Sequence, residues 1–289
     1  MLAKLHGLQL RARRVVEGYL AGLHRSPYHG FSVEFAEHRE YAPGDDLRYV
    51  DWKVFGRTNK PYVKQYEDET NLLCCLVLDA SESMAYQSHS AALSKFEYCQ
   101  ILAAALAWLV LQQQDAVGLV TFDSDVRAFV RPSSNPAILK QLLHVLETAP
   151  SGAKTRTGPI FHELAQRMSK RGVVIILSDL LDDVRAMLAG IKHLRHRRHD
   201  VIVLHVLDPA EVDFPFQRMT RFEGLEGLPH VLADGRSVRR AYLSELESYL
   251  REVSMGCRAQ QVDYHLVRTD QPMDLTLSRF LAARAEKGK

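Results

Sequence analysis

The sequence predicts an α/β protein, a doubly wound and mostly parallel sheet flanked by helices, with an amino-terminal α+β extension packed on it. Three observations lead there. Short apolar runs alternate with longer helical stretches from Leu72 onward. Several of these runs are apolar without alternation, as in strands covered on both faces. The first seventy residues are different, dense in charge and aromatics and poor in such runs. Hence two units are expected, 1–70 and 71–289, in line with the rough prior of about 150 residues per domain.

The elements follow in order. Leu72–Leu78 (LLCCLVL) is a buried strand ending at Asp79, and Phe96–Leu111 is apolar nearly all round, as in a helix packed deep on a sheet. Ala116–Phe122 is a second buried strand, and Val126–Arg131 an edge strand. Helical spacing covers 136–147 and 159–170. Val173–Leu177 is a third buried strand running to Asp179; a helix over 184–197 leads to a fourth, Val201–Leu207. Asp234-Gly235 reads as a hairpin turn, followed by a helix from Ser237 to Ala259. Val262–Val267 is the last strand and 274–285 the closing helix. In the extension, residues 1–23 have a basic amphipathic pattern, Leu47–Phe55 a short helix after the Pro43-Gly44 turn, and Tyr62–Tyr66 a strand.

Composition excludes more than it assigns. With 46% hydrophobic and 25% charged residues the chain is globular, and a net charge of +2 gives no reason to expect nucleic acid or an anionic membrane as partner. The basic run Lys192–His199 closes a helix and reads as a solvated end. The thirteen histidines show no ligand spacing and read as scattered surface or half-buried residues. Cys74, Cys75, Cys99 and Cys257 form no Cys-x-x-Cys pair, so reduced buried thiols are expected. The Met1–Arg14 stretch has no secretory h-region, and the longest apolar run, Ile101–Leu111, is too short to span a bilayer. A cytoplasmic protein without a transmembrane segment is the expectation.

Asp79-Ala-Ser81-Glu-Ser83 leaves the end of the first buried strand with one carboxylate and two hydroxyls, and Asp179 ends another. Thr155 or Thr157, in the loop before a helix, adds a further hydroxyl. Hard oxygen donors of this kind suit Mg²⁺ or Mn²⁺. So few protein charges leave such an ion open to an outside carboxylate. The competing structural account is that these residues cap the following helices.

Asp79, Ser81, Ser83, Thr155 and Asp179 resemble, in order, the metal-ion-dependent adhesion site of the von Willebrand factor A family, over about residues 72–270. The match departs at Ala153-Lys154, where the family often has Gly-Gly, and at Leu180, where it often has Gly. The resemblance implies an interaction module with Glu82, Met84 and Leu180 at the partner-binding rim. A second resemblance rests on Glu40-Tyr-x-Pro-Gly-Asp-Asp-Leu-Arg-Tyr-Val-Asp-Trp-Lys53 with Arg57-Thr58. This segment is similar to the bacterial family called domain of unknown function 58, which carries it directly before a von Willebrand A-like domain. That resemblance implies a MoxR-type AAA+ ATPase as partner. Within the segment, Arg39, Tyr41, Pro43, Gly44, Asp45, Asp46, Arg48, Asp51, Trp52 and Arg57 read as a structural signature, an ion-pair and capping network with Trp52 as core anchor.

The leading expectation is therefore a non-enzymatic, cation-dependent interaction module. The alternatives are a Mg²⁺-dependent phosphatase or hydrolase on a similar sheet, and a scaffold whose metal site is degenerate. An aspartyl phosphatase needs a second Asp where Ser81 stands, and Walker A, Gly-x-Ser-x-Gly and His-Glu-x-x-His patterns are absent.

Overall fold

A computed structural model describes residues 2–23, 38–40, 56–57, 62–64, 72–149, 157–224 and 229–287. By contact the chain divides into Met1–Gly22 with Leu72–Lys289, and Leu23–Asn71. In the smaller unit, β1 (His38–Glu40) pairs antiparallel with β2 (Tyr62–Lys64). The short helix expected over Leu47–Phe55 lies outside the described residues, as do the signature residues from Tyr41 to Trp52.

The larger unit is built on six strands. These are β3 (Leu73–Asp79), β4 (Ala116–Phe122), β5 (Val126–Ser133), β6 (Val173–Ser178), β7 (Asp200–Leu207) and, after a separate hairpin β8 (Met219–Phe222) and β9 (Val231–Asp234), β10 (Asp263–Arg268). The sheet order is β10-β7-β6-β3-β4-β5. Every neighbouring pair is parallel except β4–β5, which makes β5 the antiparallel edge. The doubly wound, mostly parallel α/β class expected from the sequence is the fold observed. Sequence order reverses at the centre, where β3 lies between β4 and β6, and such switch points place ligands at the carboxyl ends of the strands.

Helices cover both faces. One face holds α2 (Lys95–Gln112) and α3 (Ile138–Thr148), with Leu8, Ala12 and Val16 of α1 (Leu2–Leu23) in the same core. The other holds α4 (Thr157–Arg167), α5 (Val184–His196) and the end of α7 (Gly235–Ala259) through Val253 and Cys257. A short α6 (Pro209–Asp213) follows β7, and α8 (Met273–Lys287) returns to the first face through Leu277 and Phe280. Alternate residues of one strand feed opposite cores: Cys74, Leu76 and Leu78 enter the first, Cys75 and Val77 the second. All four cysteines are buried and none is in a disulfide, and burial pushes the Cys75 thiol up to about 12. No described helix is long and apolar enough to cross a membrane.

Three local expectations need correction. Asp234-Gly235 is not a hairpin turn: Asp234 caps α7, accepting from the Arg236 amide. Gly235 is required by packing, since a Cβ there would lie 2.5 Å from the Phe216 carbonyl oxygen. The basic run at the end of α5 is not merely solvated. Arg195 donates to the His199 and Gln260 carbonyls and Arg197 to that of Ala165, while His199 is buried. Nor is His205 at the surface; it is fully buried on β7.

Candidate functional site

β3 delivers Asp79 to the carboxyl edge of the sheet, with the ladder still intact opposite Phe122. The Ala80 amide makes one more bond to the Phe122 carbonyl before the chain turns away. The turn is closed by Asp79 itself, whose Oδ1 accepts from the Ser81 amide at 2.9 Å. Its Oδ2 accepts from the Ser178 hydroxyl at 2.6 Å, so β6 holds the second oxygen. Ser81 and Ser83 bring their hydroxyl oxygens to 3.0 Å from each other, and both side chains are buried.

The capping account is not what this loop shows. Ser81 precedes a 3₁₀ turn, Glu82–Ala85, yet its side chain makes no capping bond there. The caps are supplied by other residues: Ser94 caps α2 in a reciprocal box with Glu97, Asp183 caps α5 and Asp208 caps α6. Asp79, Ser81 and Ser83 are left as a cluster of oxygens at a strand end.

Asp79 is fully buried, and among the described residues its bonded partners are neutral donors only. Burial pushes its pKa up to about 7, with the charge of Asp179 adding to the rise and hydrogen bonds from Ser178 and Ser81 opposing it. A carboxylate in that position lacks a counter-charge. Two buried hydroxyls beside it supply neutral hard donors, the set a small divalent cation takes. The residues present therefore fit such an ion. Among the described residues no three His, Cys, Asp or Glu side chains group to hold a metal without hydroxyls.

Asp179 sits one residue beyond β6 and is equally buried, but its charge is answered. Lys95, the first residue of α2, places Nζ 2.7 Å from Asp179 Oδ2 and 2.7 Å from Glu211 Oε1 on α6. Burial alone would lower the lysine pKa; the two carboxylates outweigh it and hold Lys95 above the usual lysine range. Glu211 also accepts from the Asp208 amide, and Asp208 from that of Ser88, which ties α6 to the loop after Ser83. His205 lies nearby with Nδ1 2.8 Å from the Tyr264 hydroxyl, and burial pulls it down to about 4 against the influence of Asp179.

The remaining expected residues are placed as follows. Thr157 opens α4 and gives both its amide and hydroxyl to Asp182 Oδ2, at 2.7 and 2.8 Å. Thr155 lies outside the described residues. Met84 and Leu180, expected at the rim, are buried, Leu180 in a left-handed conformation with φ of 54°. Their side chains complete the interior and offer no surface. Glu82 alone of the three is partly exposed, and Arg57 is exposed.

The family model described as "Protein of unknown function DUF58" matches residues 37–249. The chain belongs to this family. The DUF58 chain is also similar, at 26% identity over 290 residues, to the uncharacterized protein Rv1480 of Mycobacterium tuberculosis (strain ATCC 25618 / H37Rv), covering 98% of this chain and 90% of that one. The uncharacterized protein Mb1516 of Mycobacterium bovis matches to the same extent. Among solved structures, the conserved hypothetical protein BatB from Bacteroides thetaiotaomicron has a TM-score of 0.48 at 16% identity, covering 74% of this chain and 99% of its own. An aerotolerance-related membrane protein from Bacteroides fragilis has a TM-score of 0.46 at 15% identity, over 75% and 99%. The SpRpn10 VWA domain has a TM-score of 0.39 at 10% identity, over 70% and 92%.

Sequence reading missed Ser178, Lys95, Asp208 and Glu211. Lys95 did carry a signal. A cation in the first turn of a helix opposes the helix dipole, and this one opens a helix that is otherwise almost wholly apolar. Such a residue calls for a specific acidic partner.

Proposed function

We propose that this DUF58 protein is a non-enzymatic interaction module. It captures an acidic side chain of a partner through a divalent cation, Mg²⁺ or Mn²⁺, held by Asp79 and the Ser81 and Ser83 hydroxyls. The cation supplies an electrophilic centre that an incoming carboxylate completes. Asp79 provides the charge, fixed in direction by the Ser81 amide and the Ser178 hydroxyl. The two serines provide neutral oxygens that leave most of the ion's charge available to the partner. Thr155 is the remaining hydroxyl proposed for this set. The partner proposed is a MoxR-type AAA+ ATPase or its target, for which the chain acts as adaptor.

The observation that supports this reading is the buried Asp79 carboxylate, bonded among the described residues only to neutral donors, beside two buried hydroxyls of which Ser81 makes no capping bond. The test is capture of a purified MoxR-type ATPase on the immobilised chain, in Mg²⁺ and in EDTA, with Asp79→Ala alongside. Capture should be lost in EDTA and in the folded variant. Equal capture by the wild type in EDTA overturns the reading.

A further inference from the structure

Four carboxylates, Asp79, Asp179, Asp208 and Glu211, meet at or beside the carboxyl edge of the sheet, and among the described residues one ammonium, that of Lys95, bonds to them. That ammonium is not shared evenly. Lys95 Nζ is bonded to Asp179 and to Glu211, each at 2.7 Å, with its side chain and that of Asp179 wholly shielded from solvent. It makes no bond to Asp79, whose partners are Ser81 and Ser178.

We infer that Lys95 is the specificity-determining residue of the cation site: its ammonium keeps Asp179 engaged, so that an incoming ion meets one free carboxylate instead of two. The inference rests on the reading of Asp79, Ser81 and Ser83 given above and adds a residue outside the set expected from the sequence. Its physical basis is charge. A divalent ion facing two unanswered buried carboxylates is held tightly and is largely neutralised, leaving little attraction for a partner's acid. With Asp179 satisfied by an internal cation, the ion keeps more of its charge and binds less tightly. Lys95 is well suited to this role because it cannot drift away. It is anchored by the capped first turn of α2, with Ser94 and Glu97 closing the box, and held from the other side by Glu211. Glu211 is itself fixed by the Asp208 amide.

The test is titration calorimetry of Mg²⁺ into the full chain, comparing wild type, Glu211→Gln, and Lys95→Gln combined with Glu211→Gln. The double variant removes the ammonium and one carboxylate together. It leaves amides able to bond across the gap, so that Asp179 alone loses its counter-charge. Circular dichroism melts establish that each variant folds, and Lys95→Met with Glu211→Leu is the second choice should the amide pair fail. The double variant should bind Mg²⁺ at least roughly tenfold more tightly than wild type, the additional carboxylate being unanswered, whereas Glu211→Gln alone should not. Equal affinity in wild type and double variant overturns the inference while leaving the cation site intact. A tightening as large in Glu211→Gln alone overturns it as well. Binding by the double variant but not by wild type upholds the inference and sinks the proposed function of the native chain. No binding by either sinks both.

Discussion

The ends of β3 and β6 lie side by side, and each carries a fully buried aspartate, yet the two are in opposite chemical states. Asp179 is an ion-pair member, its charge matched by Lys95 and the lysine's second valence taken by Glu211. Among the described residues Asp79 is held by an amide and a hydroxyl alone, with a pKa pushed up to about 7 first by burial and then by Asp179 itself. Burial alone therefore does not assign a role. A buried carboxylate with its own cation is architecture; one without is, on the function proposed, the place where a ligand binds. The fold has placed one of each within reach of the same loop.

Exchanging charge for amide at the two positions should separate them. The largest effect belongs to Asp179→Asn. It strips a buried ammonium of one partner, a change that costs about 3–5 kcal/mol when a buried pair is broken. Urea denaturation should show the loss as a lower midpoint with an unchanged slope. A loss under about 1 kcal/mol would place the pair among ordinary surface contacts and erase the contrast.

Asp79→Asn should act in the opposite sense and less strongly when no divalent ion is present. The Asp79 pKa is about 7 in the folded protein and 3.8 as an unperturbed carboxyl. Between about pH 4 and pH 7 the folded chain therefore retains a proton that the unfolded chain has released. This group's contribution is fully present below the lower value and is lost as pH rises through the upper one. At about 1.4 kcal/mol for each pH unit, the gap between the two values sets an upper bound of about 4 kcal/mol on the loss at pH 8. In EDTA, Asp79→Asn should thus be more stable than wild type at pH 8 and nearly equal to it at pH 4. Equal stability across the whole range would mean that another cation already answers Asp79.

Much of this arrangement was legible in the sequence, for a definable reason. Runs such as Val173–Leu177 and Val201–Leu207 are apolar at every position because both sheet faces are covered, and only a central strand can use that pattern. Asp79 and Asp179 could be placed at strand ends because the apolar run stops there. What was not legible depends on contacts between distant segments. Lys95 is 84 residues from Asp179 and 116 from Glu211, and no local spacing encodes either pairing. Ser178 reads as the last residue of a strand until its hydroxyl is seen on Asp79, 99 residues away. The Asp-Gly pair at 234–235 misled because the same dipeptide serves hairpins and helix starts alike. Only the helix that follows directly, with Asp234 bonded to the Arg236 amide, decides between them.

Thermal melting at pH 8 shows whether Asp79 receives a divalent cation. Saturating Mg²⁺ should raise the melting temperature of the wild-type chain relative to EDTA, because an ion bound only by the folded state stabilises it by mass action. The same addition should leave Asp79→Asn unmoved. A wild-type melt indifferent to Mg²⁺ and Mn²⁺, or a shift of equal size in Asp79→Asn, would contradict the account.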